Sequence, residues 1–303
     1  MGALDSPESV RRELAAHGYL ADEGLATAIF LAIKLRRPLL LEGDAGVGKT
    51  EVGNVLAEVT GGELVRLQCY EGIDASQAVY EWDYARQLVH LRTVEATRQV
   101  EGTDVESLED ELYSERFLVR RPLLRAIAHA DGPPPVLLID EVDRADDEFE
   151  ALLLEVLSDY AITIPEIGTY RATNPPIVVV TSNRSRDVHD ALKRRCLYHW
   201  VEHPDLEREV AIVRLRVPEA SKELARQVAA ATAALRRPSI YKQPGVAEAI
   251  DWAQALVALG HQSLDDESAE HTLGAVLKYR EDQDQIRREG ITALVAAAPE
   301  EDT

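Results

Sequence analysis

Residues 43 to 50 read Gly-Asp-Ala-Gly-Val-Gly-Lys-Thr and directly follow the apolar run Pro38-Leu39-Leu40-Leu41. Glycines at this spacing let backbone N–H groups turn inward on an anion, and a helix that begins where the loop ends adds its positive partial charge. The chemistry such a segment supports is the cradling of a polyphosphate, with Lys49 reaching the β- and γ-phosphates and the Thr50 hydroxyl ligating Mg²⁺. Further on, Val136-Leu137-Leu138-Ile139-Asp140-Glu141 is an apolar strand that ends in two carboxylates. Opposite a phosphate loop, Asp140 would hold the metal through water. Glu141 would polarise an attacking water, a task that needs an ionised carboxylate aimed past the γ-phosphate.

Two more segments place polar groups where they could join that chemistry. Val178-Val179-Val180-Thr181-Ser182-Asn183 sets an amide at the tip of another strand, either to hydrogen-bond the γ-phosphate or the lytic water, or only to make a turn. Ala191-Leu192-Lys193-Arg194-Arg195-Cys196 closes a helix with cations. The macrodipole alone accounts for cations there, and an arginine offered to a neighbour's γ-phosphate is the sharper alternative. Asp143, Asp146 and Asp147 read as a solvated, helix-capping acidic stretch. Cys69 and Cys196 fit no metal-ligand spacing and read as buried free thiols.

The elements that must position these groups follow from periodicity. Ser6 to His17 and Asp22 to Leu35 read as helices, joined by Gly18-Tyr19-Leu20, which either walls a base pocket or simply connects them. Glu51 to Thr60 has Val52, Val55, Leu56 and Val59 at helical spacing. Glu63 to Cys69 alternates as a strand does. Pro135 to Ile139 and Ile177 to Thr181 are short continuous apolar runs of the kind buried on both faces of a parallel sheet, and Leu197 to Val201 is a fifth strand. Strands alternating with helices predict a doubly wound α/β domain. Beyond Pro204 strand signals vanish, and helices are expected over Asp205 to Arg216, Ser221 to Leu235, Val246 to Leu259, Ser268 to Lys278 and near Gln283 to Ala297. The expected organisation is therefore an α/β domain over 1–203 and a small all-helical domain over 204–303, with the last five residues frayed.

Composition narrows the class. Of 303 residues 46% are hydrophobic and 29% charged, as in soluble globular proteins, and no run reaches the length of a membrane span. Met1 to Arg12 lacks the basic start and apolar core of a leader, so a cytoplasmic location without membrane association is expected. Lys plus Arg total 33 against 54 Asp plus Glu, a formal charge of −21. A surface that acidic repels polyphosphate and disfavours nucleic acid as the main partner.

The phosphate loop, Asp140-Glu141, the strand-tip Asn183, the arginines before the fifth strand and the helical C-terminal region together resemble an AAA+ ATPase. About 65 residues separate the second strand from the Asp-Glu strand, more than one crossover helix requires. Within them Tyr80-Glu81-Trp82-Asp83-Tyr84-Ala85-Arg86-Gln87-Leu88 resembles the helix-2 insert of MoxR-type AAA+ proteins, an insert spanning about 71–120. Asp159 to Ile164 and Thr169 to Thr173 resemble the hairpin that these proteins carry before the asparagine strand. Asp-Ala-Leu-Lys-Arg-Arg-Cys at 190 to 196 and Pro-Gly-Val-Ala-Glu-Ala-Ile-Asp-Trp at 244 to 252 are similar to the branch associated with molybdenum hydroxylases such as carbon monoxide dehydrogenase.

The resemblance covers about Gly18 to Tyr279 and implies a five-stranded parallel sheet followed by a helical lid. By the same resemblance Gly43, Asp44, Ala45, Gly46, Val47, Gly48, Lys49, Thr50 and Glu51 hold ATP, and Thr50 and Asp140 hold Mg²⁺. Glu141 is the catalytic carboxylate and Asn183 a sensor, while Arg195, with Arg194 second, acts on a neighbouring subunit. The resemblance further implies a ring, a hexamer in this family, that remodels or matures a metalloenzyme client with a von Willebrand factor A domain partner. One departure stands out: Gly245-Val246-Ala247-Glu248-Ala249 offers no sensor arginine where the third lid helix starts, and Lys242 is the candidate substitute. A nucleic-acid-remodelling ATPase of the clamp-loader or helicase type is the alternative. Against it, Glu71 to Arg116 holds twelve acidic residues, four arginines and no lysine, a net charge of −8. A non-hydrolysing scaffold is the third reading, and the intact Asp140-Glu141 pair argues against it.

Overall fold

The computed structural model describes residues 4–97 and 105–296. In chain order the elements are α1 (Pro7–Ala16), α2 (Glu23–Leu35), β1 (Leu39–Glu42), α3 (Lys49–Thr60), β2 (Leu64–Gln68), α4 (Ala75–Ala78), β3 (Tyr80–Trp82), α5 (Tyr84–Thr97) and α6 (Val105–Leu112). There follow β4 (Leu118–Arg120), α7 (Pro122–Ile127), β5 (Val136–Asp140), α8 (Asp147–Asp159), β6 (Ala161–Ile164), β7 (Gly168–Arg171), β8 (Ile177–Ser182), α9 (Asp190–Arg195) and β9 (Leu197–Trp200). The chain continues with α10 (Leu206–Arg216), α11 (Lys222–Leu235), α12 (Val246–Ala258), α13 (Asp266–Val276), α14 (Arg280–Glu289) and α15 (Ile291–Ala296).

Five strands form one parallel sheet in the order β2-β5-β8-β1-β9, as expected. The order places β1, which feeds the phosphate loop, beside β8, which carries Asn183, and β5, which carries Asp140, next to β8. The central strands are buried along almost their whole length, which is why they read as unbroken apolar runs, whereas the edge strand β2 alternates buried and exposed residues. Because side chains alternate across a strand, Leu40, Leu137, Ile139, Val178 and Val180 pack into a core with α7, α8 and the insert. Leu39, Leu41, Val136, Leu138 and Val179 enter a second core with α1, α2 and α3 on the other face.

The helices start where short polar residues can cap them. Ser6 and Asp22 accept from Ser9 N and Leu25 N, Asp146 from Phe149 N, Asp205 from Arg208 N and Ser221 from Leu224 N. Each such cap contributes about 1 kcal/mol. The C-terminal helices enclose a third core around Trp252, whose indole N–H donates to Thr272 Oγ1 at 2.7 Å.

The structure departs from the sequence expectations in several places. The segment Tyr80 to Leu88, to which the sequence reading assigns no secondary structure, divides into a strand and the start of a helix. Tyr80–Trp82 is a strand paired antiparallel with Leu118–Arg120, and the helix starts only at Tyr84. This ladder closes the base of the insert, with Trp82 packed edge-on against Tyr113 at 5.2 Å between ring centroids. The helix expected over Ser268 to Lys278 starts two residues earlier, because Asp265 and Ser268 form a capping box. The last expected helix is two, α14 and α15, broken at Gly290, whose φ of 100° lies outside helical space. Asp146 caps α8 as anticipated, but Asp143 is not solvated; it is 2% exposed. The frayed tail expected at 299–303 lies outside the described residues. Cys69 and Cys196 are free and buried, and burial pushes each thiol up to about 12. Among the described residues no helix is long and apolar enough to cross a membrane.

Candidate active site

The loop after β1 turns directly into α3, and its glycine at the helix N-cap, Gly48, sits at φ 93°, a conformation that a side chain would strain. The Lys49 ammonium folds back into this loop and donates to Gly43 O at 2.8 Å and Asp44 O at 2.6 Å. Burial lowers its pKa, while Asp44, Asp143, Asp140 and Glu141 pull it upward. Thr50, one residue on, donates its hydroxyl to Asp140 Oδ1 at 2.9 Å. The tips of β1, β5 and β8 thus meet at one point.

Asp140 is 2% exposed and fully engaged. Besides Thr50 it accepts from Thr181 Oγ1 at 2.6 Å, and Arg66 on β2 donates to its other oxygen at 2.5 Å. The next residue, Glu141, leaves the strand at φ 55° and ψ 50°, a left-handed conformation that costs a non-glycine residue about 1–3 kcal/mol. Its amide is fixed by Thr181 Oγ1 at 2.9 Å. Its carboxylate accepts from Asn183 Nδ2 at 3.2 Å, Gln68 Nε2 at 3.1 Å and Arg144 Nε at 2.9 Å. The strained backbone turns this carboxylate over the loop, where it lines the same cavity as Lys49 and Thr50.

Asn183 is itself held from behind. Its backbone N–H donates to Asp143 Oδ1 at 3.1 Å, and Ser185 gives both its N–H (2.8 Å) and its hydroxyl (2.6 Å) to Asp143 Oδ2. Burial alone would raise the Asp143 pKa; the hydrogen bonds from Ser185 and Asn183 outweigh it and hold the carboxyl below its ordinary value. Asp143 therefore positions the loop beyond β8, a role the sequence reading missed because its donors come from 40 and 42 residues away. Arg66 and Gln68 were missed as well, although their shared outward register on the alternating strand β2 was a usable signal.

A cavity of about 390 Å³ opens over these groups, roofed by the helical domain. Its apolar end is lined by Tyr19, Leu20, Pro204, Ile212 and Ile250, so the linker between α1 and α2 does wall the pocket. The roof is attached in two ways. Val246 N and Ala247 N, at the start of α12, donate to Gly46 O at 3.0 and 3.4 Å. A methyl group on Gly245 would meet Gly46 Cα at 2.7 Å, so backbone touches backbone there. From α10, Arg208 donates to Leu20 O at 2.9 Å and to Asp22 at 3.0 Å, and Arg216 reaches Glu51 at 2.9 Å.

Glu51 thus faces the lid and Asn54. Lys242 is exposed and does not line the cavity; its backbone N–H donates to Asp282. The lid cations that line the cavity are Arg208 and Arg216. Arg194 and Arg195 are exposed at the end of α9 and are not brought to the chain's own cavity.

A 51-residue stretch is 45% identical to midasin of Giardia intestinalis, a match that spans 17% of this chain and 1% of midasin. Among solved structures, the Thermotoga maritima RuvB Holliday junction branch migration motor is 15% identical, with a TM-score of 0.45 over 88% of this chain and 68% of that one. A point mutant of the same RuvB is 16% identical, with a TM-score of 0.50 over 97% of this chain and 84% of that one. At that identity the likeness is one of fold. Residues 38–196, more than half of the chain and the stretch from β1 through α9, match the family described as AAA domain (dynein-related subfamily). The chain belongs to the dynein-related subfamily of AAA domains.

Proposed function

We propose that this AAA protein hydrolyses ATP and works as a ring of identical subunits, of the MoxR type, in which each subunit completes its neighbour's site and ATP turnover drives the remodelling of a partner protein. The observation that carries the reading is the convergence of Lys49, Thr50, Asp140, Glu141 and Asn183 on one cavity. Lys49 holds loop carbonyls that it can exchange for β- and γ-phosphate oxygens, and the loop amides supply the rest of the cradle. The Thr50 hydroxyl and Asp140 carboxylate, 2.9 Å apart, are hard oxygen donors of the kind Mg²⁺ takes beside phosphate oxygens. Mg²⁺ held by these two groups would supply positive charge against the phosphates. Glu141 accepts the proton of the attacking water once it gives up its contact to Arg144 or Gln68, and Asn183 keeps the carboxylate aimed. Arg195, with Arg194 second, is assigned to the γ-phosphate of the next subunit, which fits its exposure and its distance from its own cavity.

The remodelling half of the proposal rests on the insert and the hairpin β6–β7. Tyr170 on β7 donates to Glu115 at 2.6 Å, and the Arg120 guanidinium lies 5.7 Å from the Tyr170 ring centroid, so hairpin and insert base form one tied unit. Motion of the lid against the sheet would reach a client through it. The acidic insert disfavours nucleic acid. By resemblance, the partners are a von Willebrand factor A domain protein and a metalloenzyme client, with a hexamer as the ring.

Sedimentation with and without ATP and Mg²⁺ tests the assembly, with a closed ring expected in their presence. Arg195→Ala should lose turnover while its monomer binds ATP normally, and mixing it with Lys49→Ala should restore part of the activity. A monomer in every nucleotide state, with mixtures no more active than their components, would rule out the shared site.

A further inference from the structure

The helix that presents Arg194 and Arg195 ends in an unusual way. The last carbonyls of a helix have no partner within it and are met by side chains, water or a tightened last turn. At the end of α9 a single guanidinium takes three of them in succession. Arg37 Nη2 donates to Arg194 O at 2.8 Å, Arg195 O at 3.0 Å and Cys196 O at 3.2 Å, and Nε donates to Arg195 O at 3.1 Å. Arg37 reaches that point because α2 ends in a left-handed Arg36 (φ 52°), closed by Arg37 N to Ala32 O at 3.1 Å. Charge does not explain the arrangement, since it sets a third cation beside Arg194 and Arg195, which repel it. The macrodipole would favour one cation near the helix end and does not call for a fork spanning three carbonyls.

The other side of α9 is held as well. Lys193 Nζ lies 3.9 Å from Glu42 Oε1, and Glu42, 2% exposed, also accepts from Tyr198 at 3.1 Å. Arg37 lies just before β1 and Glu42 is its last residue, and this strand runs directly into the phosphate loop at Gly43. The arginine-bearing helix is therefore tied to both ends of the strand that carries the subunit's own loop.

We infer that Arg37 is a positioning residue for the arginine donated to the neighbouring subunit. It fixes the direction in which Arg194 and Arg195 leave the donor and keeps them in register with the donor's β1. The inference rests on the shared-site reading above, and the test separates the two. Misplacing a charge-stabilising group by about 1 Å can cost on the order of 100-fold. Arg37→Ala should accordingly lower kcat roughly 10- to 100-fold while ATP affinity stays within about twofold, and Arg37→Lys, which can grip fewer carbonyls, should fall between.

The deciding arms are mixtures of full-length chains. Arg37→Ala keeps a whole phosphate loop, so Lys49→Ala subunits, which donate a well-placed Arg195, should restore its turnover. Subunits carrying both Lys49→Ala and Arg37→Ala should fail to restore it. Equal rescue by both donors, or no rescue by Lys49→Ala, would overturn the inference, the second because the defect would then lie in folding or in the subunit's own site. Wild-type kcat in Arg37→Ala alongside an inactive Arg195→Ala would overturn it while sparing the shared site. Wild-type turnover in Arg195→Ala would remove both.

Discussion

The cavity has two walls that are built on different principles. On the sheet side, Asp140, Glu141 and Asp143 each accept two or more hydrogen bonds from groups held by strands, tight turns or the start of α3, among them Thr50, Thr181, Gln68, Asn183 and Ser185. On the lid side the contacts are the start of α12 on the phosphate loop, where Val246 N and Ala247 N donate to Gly46 O and Gly245 abuts Gly46, and two long arginines that meet partly exposed acceptors. Satisfied buried carboxylates such as Asp140 and Asp143 are costly to disturb, at about 1–3 kcal/mol for each group left unpaired. Partly exposed ion pairs such as Arg216 with Glu51 contribute only about 0–1 kcal/mol. The difference assigns chemistry to the rigid wall and motion to the loose one: the lid can part from the phosphate loop without unsettling the carboxylates.

The largest break should come from the rigid wall. Asp143→Asn keeps an acceptor but loses the charge that gathers Asn183 N and Ser185, so Asn183 should lose its aim on Glu141. We expect kcat to fall on the order of 10- to 100-fold, with ATP affinity changed by less than about twofold. Steady-state kinetics beside an independent binding titration will tell. A change in affinity with kcat intact would place Asp143 on the binding side and erase the division.

Gly245→Ala acts on the loose wall and should give the reverse pattern. The added methyl would sit 2.7 Å from Gly46 backbone atoms and 2.8 Å from Ala45 O, so the start of α12 must move off the loop. Nucleotide exchange should speed up and affinity weaken by roughly tenfold, about 1.4 kcal/mol, while kcat at saturating ATP changes much less. Stopped-flow exchange of a fluorescent nucleotide measures it, and unchanged exchange would mean that the lid is not coupled to the loop through this contact.

How much of this was open to sequence reading differs between the walls for the same physical reason. The phosphate loop, Asp140-Glu141 and Asn183 lie in or at the ends of strands so buried that their apolar runs are unmistakable. Side chains fixed by their own strand announce themselves locally. Asp143 did not, because an acidic residue in an acidic run looks solvated until Ser185 is seen beside it. The β3–β4 ladder pairs Trp82 with Leu118 through strands of three residues, too short for alternation to show. The contact between Gly46 and Gly245 involves only backbone and leaves no side-chain signature. A lone glycine such as Gly290 is tolerated inside many helices, and only its φ shows that it ends one here.

The smallest expected effect concerns pH at the hinge between the two walls. Burial and neighbouring arginines lower the pKa of His199 (Arg208) and His203 (Arg236) below the ordinary value of 6.5, although Asp22 and Asp44 pull the other way. With a folded pKa below the unfolded one, the unfolded chain takes up protons first as pH falls. Stability should be full above about 6.5 and decline as pH drops through the folded values. Thermal melts between pH 7.5 and 5.5 should show this decline, and His203→Gln should flatten it. An equal slope in the variant would remove His203 from the account.

The most direct measurement is single-turnover hydrolysis by Glu141→Gln beside its ATP affinity. The variant keeps the left-handed backbone, the Thr181 contact and an oxygen for Asn183, and removes only the charge proposed to take the proton from water. The account predicts ATP bound as tightly as in the wild type and hydrolysis slowed by on the order of 10² to 10⁴. Hydrolysis at the wild-type rate with binding intact would contradict it, and would mean that the carboxylate at the tip of β5 is not the base.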